Sequence, residues 1–317
     1  MVKQNINLYL ASPRGFCAGV DRAVKIVEQA IKKYGSPIYV RHEIVHNKDV
    51  VKSLESLGAI FVDEITDAPE NSTIIFSAHG VPKSVFVNAK KRKMLSIDAT
   101  CPLVTKVHNE TIKHFNSNRK ILLIGHKNHP EVVGTMGQVP NGNVILIENL
   151  DEAKTINIEN ANNLAYATQT TLSVDDTKEI IEVLKQRFPK IKGPSTEDIC
   201  YATTNRQLAV KSMTNICDYV LVIGAQNSSN SKRLVEVAKK NGVENSYLIS
   251  EEHDLNVFLS KLNFKNSINI GLTAGASAPE TLVQVLISKL KKKFDVNLID
   301  HEVVKEDIIF NLPKVLR

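Results

Sequence analysis

Three of the four cysteines stand where a thiol can act as a reagent. Cys17 lies in GFCAGVDRAV, Cys101 in ATCPLVTKV and Cys200 in ICYATTNRQLAV, each at a turn opening onto a segment of helical periodicity. Amides at a helix N-terminus lower a thiol's pKa and favour the thiolate, the form that ligates metal. Cys217, in SMTNICDYVLVIG, falls between a helix and an apolar strand and reads as a small buried hydrophobe. The three reactive positions are 84 and 99 residues apart. That spacing fits neither the close C-x-x-C pairs of structural zinc, which stays as the lesser alternative, nor the crowded loop of a ferredoxin. Three modules each giving one thiolate would instead hold a 4Fe-4S cluster with its fourth iron open. An open iron beside an electron source suits removal of an oxygen-bearing group.

A second set of residues recurs in step with the cysteines. The first polar turn after each is reached in 29, 28 and 30 residues, at His46, His129 and Asn230. A later turn follows at His79, Thr170 and Ser277. Together with Ser228 and Ser229, most of these residues sit at or just before a helix start. Side-chain donors, unpaired amides and the helix dipole there bind phosphate without Lys or Arg. N-S-S-N at 227–230 alone is an ordinary helix cap; repetition of such turns with three His residues points to a diphosphate-sized anion. Glu131, in HPEVVG beside His129, is the candidate general acid. A like-charged diphosphate nearby would raise its pKa and keep a proton available, with Thr170 or Thr171 relaying or orienting that proton. His42, His108, His114, His126, His253 and His301 repeat no context and read as surface or core residues.

The elements that must position these groups follow a parallel α/β rhythm. Strand-like runs are Ile38 to Val40, Ile74 to Phe76, Ile121 to Ile124, Leu164 to Ala167, Tyr219 to Ile223 and Ile268 to Leu272. Helical periodicity runs through Val20, Val24, Val27 and Ile31; Val50, Leu54 and Leu57; Thr177, Ile181 and Leu184; and Leu282, Leu286 and Leu290. The expected organisation is three small α/β domains, 18–100, 101–196 and 197–317, with 1–17 adding a strand to the third. Strand C-terminal ends beside helix N-termini are where such folds bind ligands.

Composition narrows the class further. The 317 residues are 43% hydrophobic and 23% charged, values of an ordinary globular chain. The opening MVKQNINLYLASPRG lacks the pattern of a secretory signal, and no apolar run approaches the ~18 residues of a membrane span. Both features predict a cytosolic protein with no membrane partner. A net charge of +6 favours anionic ligands, but zero Trp and 5% aromatics leave few platforms for stacking bases, so no nucleic-acid partner is expected.

The strings PRGFCAGVDRA, YVRHEIVHN, FSAHGV, DATCPLVTKVH, GHKNHPEVVGTMGQ, TQTTLSVDDT, DICYATTNRQ, NSSNSKRL and TAGASAP closely resemble the 4-hydroxy-3-methylbut-2-enyl diphosphate reductase family, the last enzymes of the non-mevalonate isoprenoid pathway. The resemblance implies an oxidoreductase of three similar α/β domains in pseudo-threefold arrangement around one 4Fe-4S cluster. It implies cluster ligands at Cys17, Cys101 and Cys200, and diphosphate donors at His46, His79, His129, Thr170, Ser228, Ser229, Asn230 and Ser277. Glu131 matches the family's proton donor, with Thr170 and His129 beside it in the catalytic set. The implied reaction is reductive dehydroxylation of an allylic diphosphate to isopentenyl and dimethylallyl diphosphate, with a ferredoxin or flavodoxin type of electron donor. The competing expectation is a phospho-ligand binding protein, with or without metal, lacking redox activity.

Overall fold

The computed structural model describes residues 3–159, 161–262 and 268–317; Met1, Val2 and the rest of the expected domain segments beyond these bounds lie outside the description. Its contacts divide the chain into two units. One holds residues 1–17, 46–48 and 201–309, the other 18–45, 49–200 and 310–317. In chain order the elements are β1 (Asn5–Ser12), α1 (Ala18–Tyr34), β2 (Ile38–Arg41), α2 (Lys48–Ser56), β3 (Ala59–Val62), β4 (Thr73–Phe76), α3 (Lys83–Lys91), β5 (Leu95–Asp98), α4 (Pro102–Asn116), β6 (Lys120–Ile124), α5 (Pro130–Met136), β7 (Val144–Ile147), α6 (Leu150–Thr155) and β8 (Leu164–Thr168). They continue with α7 (Val174–Arg187), α8 (Tyr201–Met213), β9 (Tyr219–Ile223), α9 (Ser229–Lys240), β10 (Ser246–Ile249), α10 (Glu252–Lys261), β11 (Ile268–Ala274), α11 (Glu280–Lys293) and β12 (Asp295–Glu302).

The first unit is built on a five-stranded sheet in the order β10-β9-β11-β1-β12, every pair parallel. Parallel strands need crossover helices, which cover both faces, so their residues are buried on either side. In β1 the two-residue period sends Ile6, Leu8 and Leu10 to a core with Phe258, Leu286 and Leu290. Ala11 joins the opposite face with Val210 and Met213 of α8 and Leu234 of α9. Cys217 lies in that second core at 7% exposure.

The second unit holds two all-parallel sheets, β3-β2-β4-β5 and β7-β6-β8. In β6, Leu122 and Ile124 pack toward Leu184 of α7, while Ile121 and Leu123 pack toward Val107 of α4 and Val132 of α5. Every apolar run read as a strand from sequence is a strand, because a sheet covered on both faces selects continuous β-branched and aliphatic residues. Leu57 departs from the expected helical stripe: α2 stops at Ser56 and Leu57 is 51% exposed. Gly58, at φ 106°, reverses the chain there so that β3 can start at Ala59. Among the described residues no helix is long and apolar enough to cross a membrane.

Candidate active site

The polar turns emerge from strand C-terminal ends, where the next helix begins. In the second unit, β6 ends at Ile124 and leads to His129, the N-cap of α5, with Pro130 in the first turn. Proline suits that place because its missing N–H would have no helical partner. His129 Nδ1 accepts the Glu131 N–H at 3.2 Å, fixing the start of the helix and placing Glu131 in its first turn.

Glu131 is 3% exposed. Both its carboxylate oxygens are held by one residue after β8: Thr170 donates its N–H to Oε1 at 2.6 Å and its hydroxyl to Oε2 at 3.0 Å. The Glu131 pKa is raised to about 7: burial is the largest cause, the two Thr170 bonds partly offset it, and the charge of Asp198 adds to it. The elevation that the sequence attributes to a bound diphosphate is therefore present in the protein alone, with burial as its main cause. Thr171 accepts from the Gln169 side chain at 2.9 Å, which distinguishes its role from that of Thr170.

The imidazoles of His79 and His129 meet edge to face, with ring centroids 5.9 Å apart. His79 sits in the turn after β4, its Nδ1 3.3 Å from the Ser77 hydroxyl. Both rings are half-buried. Glu131, Thr170, His79 and His129 thus share the second unit, together with Cys101 and Cys200.

The first unit carries the remaining anion-binding candidates. Ser228 caps α9 by accepting the Ser231 N–H at 3.3 Å. Ser229 and Asn230 open the helix, and Asn230 accepts the Ala276 N–H at 3.0 Å. Ser277 donates to the His46 carbonyl at 2.9 Å, and His46 Nδ1 lies 3.4 Å from the Asn227 amide nitrogen. Asn230 and Ser277 are buried at 4% and 7%, whereas His46 and Ser229 are half-buried. Cys17 belongs to this unit.

All three cysteines occupy one local geometry. Cys17 immediately precedes α1, Cys101 is the N-cap of α4 with Pro102 behind it, and Cys200 immediately precedes α8. Each donates its N–H to a carbonyl in the turn after a strand: Cys17 to Ala276 at 3.2 Å, Cys101 to Ala78 at 2.9 Å and Cys200 to Thr170 at 3.1 Å. Their thiols are half-buried and form no disulfide. Cys217, equally free of a disulfide, differs in following a helix rather than opening one and in being buried; burial, reinforced by Asp218, pushes its thiol up to about 12. The donor chemistry of the three therefore fits a thiolate-ligated metal group, and that of Cys217 does not. Among the described residues no three His, Cys, Asp or Glu side chains gather as closely as a single metal ion requires.

Sequence reasoning missed Asp198. It is 4% exposed, accepts the Thr168 N–H at 2.9 Å and pairs with Lys106 at 3.0 Å; burial raises its pKa. An acid shortly before the cysteine in both DATC and EDIC was the available signal. His108 and His114 are buried, as a core reading allows, and burial lowers the His108 pKa to about 4.

A family model described as LytB protein matches residues 8–291. A 4-hydroxy-3-methylbut-2-enyl diphosphate reductase of Hyphomonas neptunium is 54% identical over 99% of this chain and 98% of its own length. One of the same description from Phenylobacterium zucineum is 54% identical over 98% of both chains. Among solved structures, the E-1-hydroxy-2-methyl-but-2-enyl-4-diphosphate reductase of Plasmodium falciparum superposes with a TM-score of 0.91 at 40% identity, covering 100% of this chain and 97% of that one. A second, (E)-4-hydroxy-3-methyl-but-2-enyl diphosphate reductase, described as the terminal enzyme of the non-mevalonate pathway, gives 0.63 at 30% identity over 90% of this chain and 99% of that one. With its motifs, parallel sheets and near-complete coverage by these relatives, the chain belongs to the LytB protein family.

Proposed function

We propose that this chain reduces (E)-4-hydroxy-3-methylbut-2-enyl diphosphate to isopentenyl and dimethylallyl diphosphate. The reaction takes up two electrons and two protons, breaks the allylic C–O bond and releases the oxygen as water. The observation that carries this reading is the buried Glu131, held by both donors of Thr170 with a pKa near neutrality. The family relationship supports the choice of substrate.

Cys17, Cys101 and Cys200, each at or within a few residues of a boundary between the three proposed α/β modules 18–100, 101–196 and 197–317 with 1–17, are the proposed ligands of one 4Fe-4S cluster. When bound, the cluster would supply electrons and an open iron position able to act as a Lewis acid. The chain's own groups do the rest. His46, His79, His129, Ser228, Ser229, Asn230 and Ser277 donate to the diphosphate, with amides at the α9 N-terminus adding to the anion's stabilisation. With its pKa raised to about 7, Glu131 still carries a proton in a large fraction of molecules at neutral pH and delivers it to the departing hydroxyl, since a neutral acid is required where charge develops on oxygen. Thr170 fixes the carboxyl's orientation and belongs with the substrate-facing set. His129 holds the backbone of Glu131 in place. The electron donor is of the ferredoxin or flavodoxin type, and the site of action is the cytoplasm.

The test is turnover by the anaerobically purified chain with this substrate and a chemical one-electron reductant, with products resolved by mass spectrometry. Both five-carbon monoene diphosphates are expected. Full recovery of substrate from iron-loaded protein contradicts the reaction, and iron-free protein that binds the substrate unchanged establishes a phospho-ligand binder instead.

A further inference from the structure

The backbone just before each cysteine is gripped by a cation, and the three contacts have one form. Arg22, on α1 five residues after Cys17, donates to the carbonyls of Ala99 and Thr100 at 3.3 and 3.0 Å, immediately before Cys101. Lys106, on α4 five residues after Cys101, donates to the carbonyls of Thr196 and Glu197 at 2.5 and 2.8 Å, and to Asp198 at 3.0 Å, shortly before Cys200. Arg206, on α8 six residues after Cys200, donates to the Gly15 carbonyl at 2.8 and 3.1 Å and to that of Phe16 at 3.4 Å, immediately before Cys17. In sequence the series closes on itself: the helix behind each cysteine carries the cation that holds the loop of the next.

We propose that Arg22, Lys106 and Arg206 are positioning residues, each fixing the loop that presents one cysteine ligand. The proposal rests on the assignment of these cysteines to a cluster. The loops lie outside helices and strands, so their carbonyls need partners from elsewhere. Charge-assisted hydrogen bonds are about twice as strong as neutral ones. Every cysteine is thereby held from two sides, by a cation on the carbonyls before it and by a turn carbonyl on its own N–H. The investment is clearest at Arg206, which is fully buried and pairs with Glu306 at 3.0 Å. Burying an arginine is costly, and the structure offsets it with four hydrogen-bonding partners: Gly15, Phe16, Ala202 and Glu306. Ligands held by an outer shell keep their geometry as the metal group changes oxidation state, and loss of such a shell costs ~10–100-fold in affinity or activity.

Amide hydrogen exchange read by mass spectrometry on the full, anaerobically purified chain tests this, with Arg22→Gln, Lys106→Met and Arg206→Gln compared against wild type. Exchange should quicken about tenfold or more, the loss of a charged hydrogen bond, chiefly at 99–101, 196–200 and 14–17 respectively, with a second rise beside Asn311 in Arg22→Gln, because Arg22 also donates to that carbonyl at 2.9 Å. The cluster midpoint potential should shift in the same proteins, and Arg22→Lys and Lys106→Arg should restore both readouts. Should Arg206→Gln fail to fold, Arg206→Lys decides for its loop by a smaller rise confined to 14–17. Unchanged exchange at those segments, or an equal rise throughout the chain, overturns the proposal. Iron-free wild-type protein whose exchange at all three loops matches that of the iron-loaded protein would refute the cluster assignment, while the local rises in the variants would still support the loop-holding role.

Discussion

Thr170 holds Glu131 by both carboxylate oxygens, with its N–H 2.6 Å from Oε1 and its hydroxyl 3.0 Å from Oε2. Its carbonyl meanwhile accepts the N–H of Cys200 at 3.1 Å. A single residue at the end of β8 therefore orients the acid and anchors one proposed ligand loop.

Glu131→Gln keeps an acceptor for the Thr170 N–H and removes only the transferable proton. Turnover should fall by about 10²–10⁴-fold, the usual contribution of a general acid, while iron content and diphosphate binding stay close to wild type. Steady-state kinetics paired with an iron assay read both; a near-normal rate removes Glu131 from this role.

The pH profile follows from the same geometry. The acid must be protonated, so kcat should decline as pH rises through about 7. Thr170's hydrogen bonds favour the carboxylate and lower its pKa; Thr170→Val removes the hydroxyl bond and should move the alkaline limb upward, and Thr170→Ser should return it. A limb that stays in place in Thr170→Val shows that another group controls the decline.

Stability should titrate with Glu131 too. Its pKa is raised from 4.5 in the unfolded reference to about 7 in the fold. A raised value means that the contribution is fully present below pH 4.5 and is lost as pH rises through about 7. The span amounts to at most about 3 kcal/mol. Urea midpoints measured across this window should fall with pH in wild type relative to Glu131→Gln. Parallel curves would contradict a neutral buried acid.

Much of this architecture is legible from residues alone. Runs such as YVLVI at β9 declare strands because a doubly covered parallel sheet leaves no polar face to disguise them. The turns bearing His46, His129 and Asn230 stand out because helix caps and anion donors draw on the same few residue types. The cause of the Glu131 shift is not legible, since burial depends on packing between α5 and the turn after β8, distant in sequence. Nor are the contacts of Arg22, Lys106 and Arg206, where a lone cation reads as surface charge until its carbonyl partners are seen.

The cysteines separate by environment. Cys101→Ser should abolish the visible absorbance and iron of the anaerobic protein. Cys217→Ser should retain both and lose only about 1–3 kcal/mol of stability, the cost of burying a hydroxyl in an apolar core. Iron retained by the first, or lost by a folded second, would overturn the ligand assignment.

The account turns on a carboxyl that holds its proton well above the ordinary glutamate range and loses it only near neutral pH. Infrared difference spectra of wild type minus Glu131→Gln, recorded across a pH series, observe that proton directly. The expected result is a protonated-carboxyl band in the wild type that titrates near pH 7 and is missing from the variant. A carboxylate signature already complete at pH 5.5, about one unit above the ordinary glutamate value, would contradict the account.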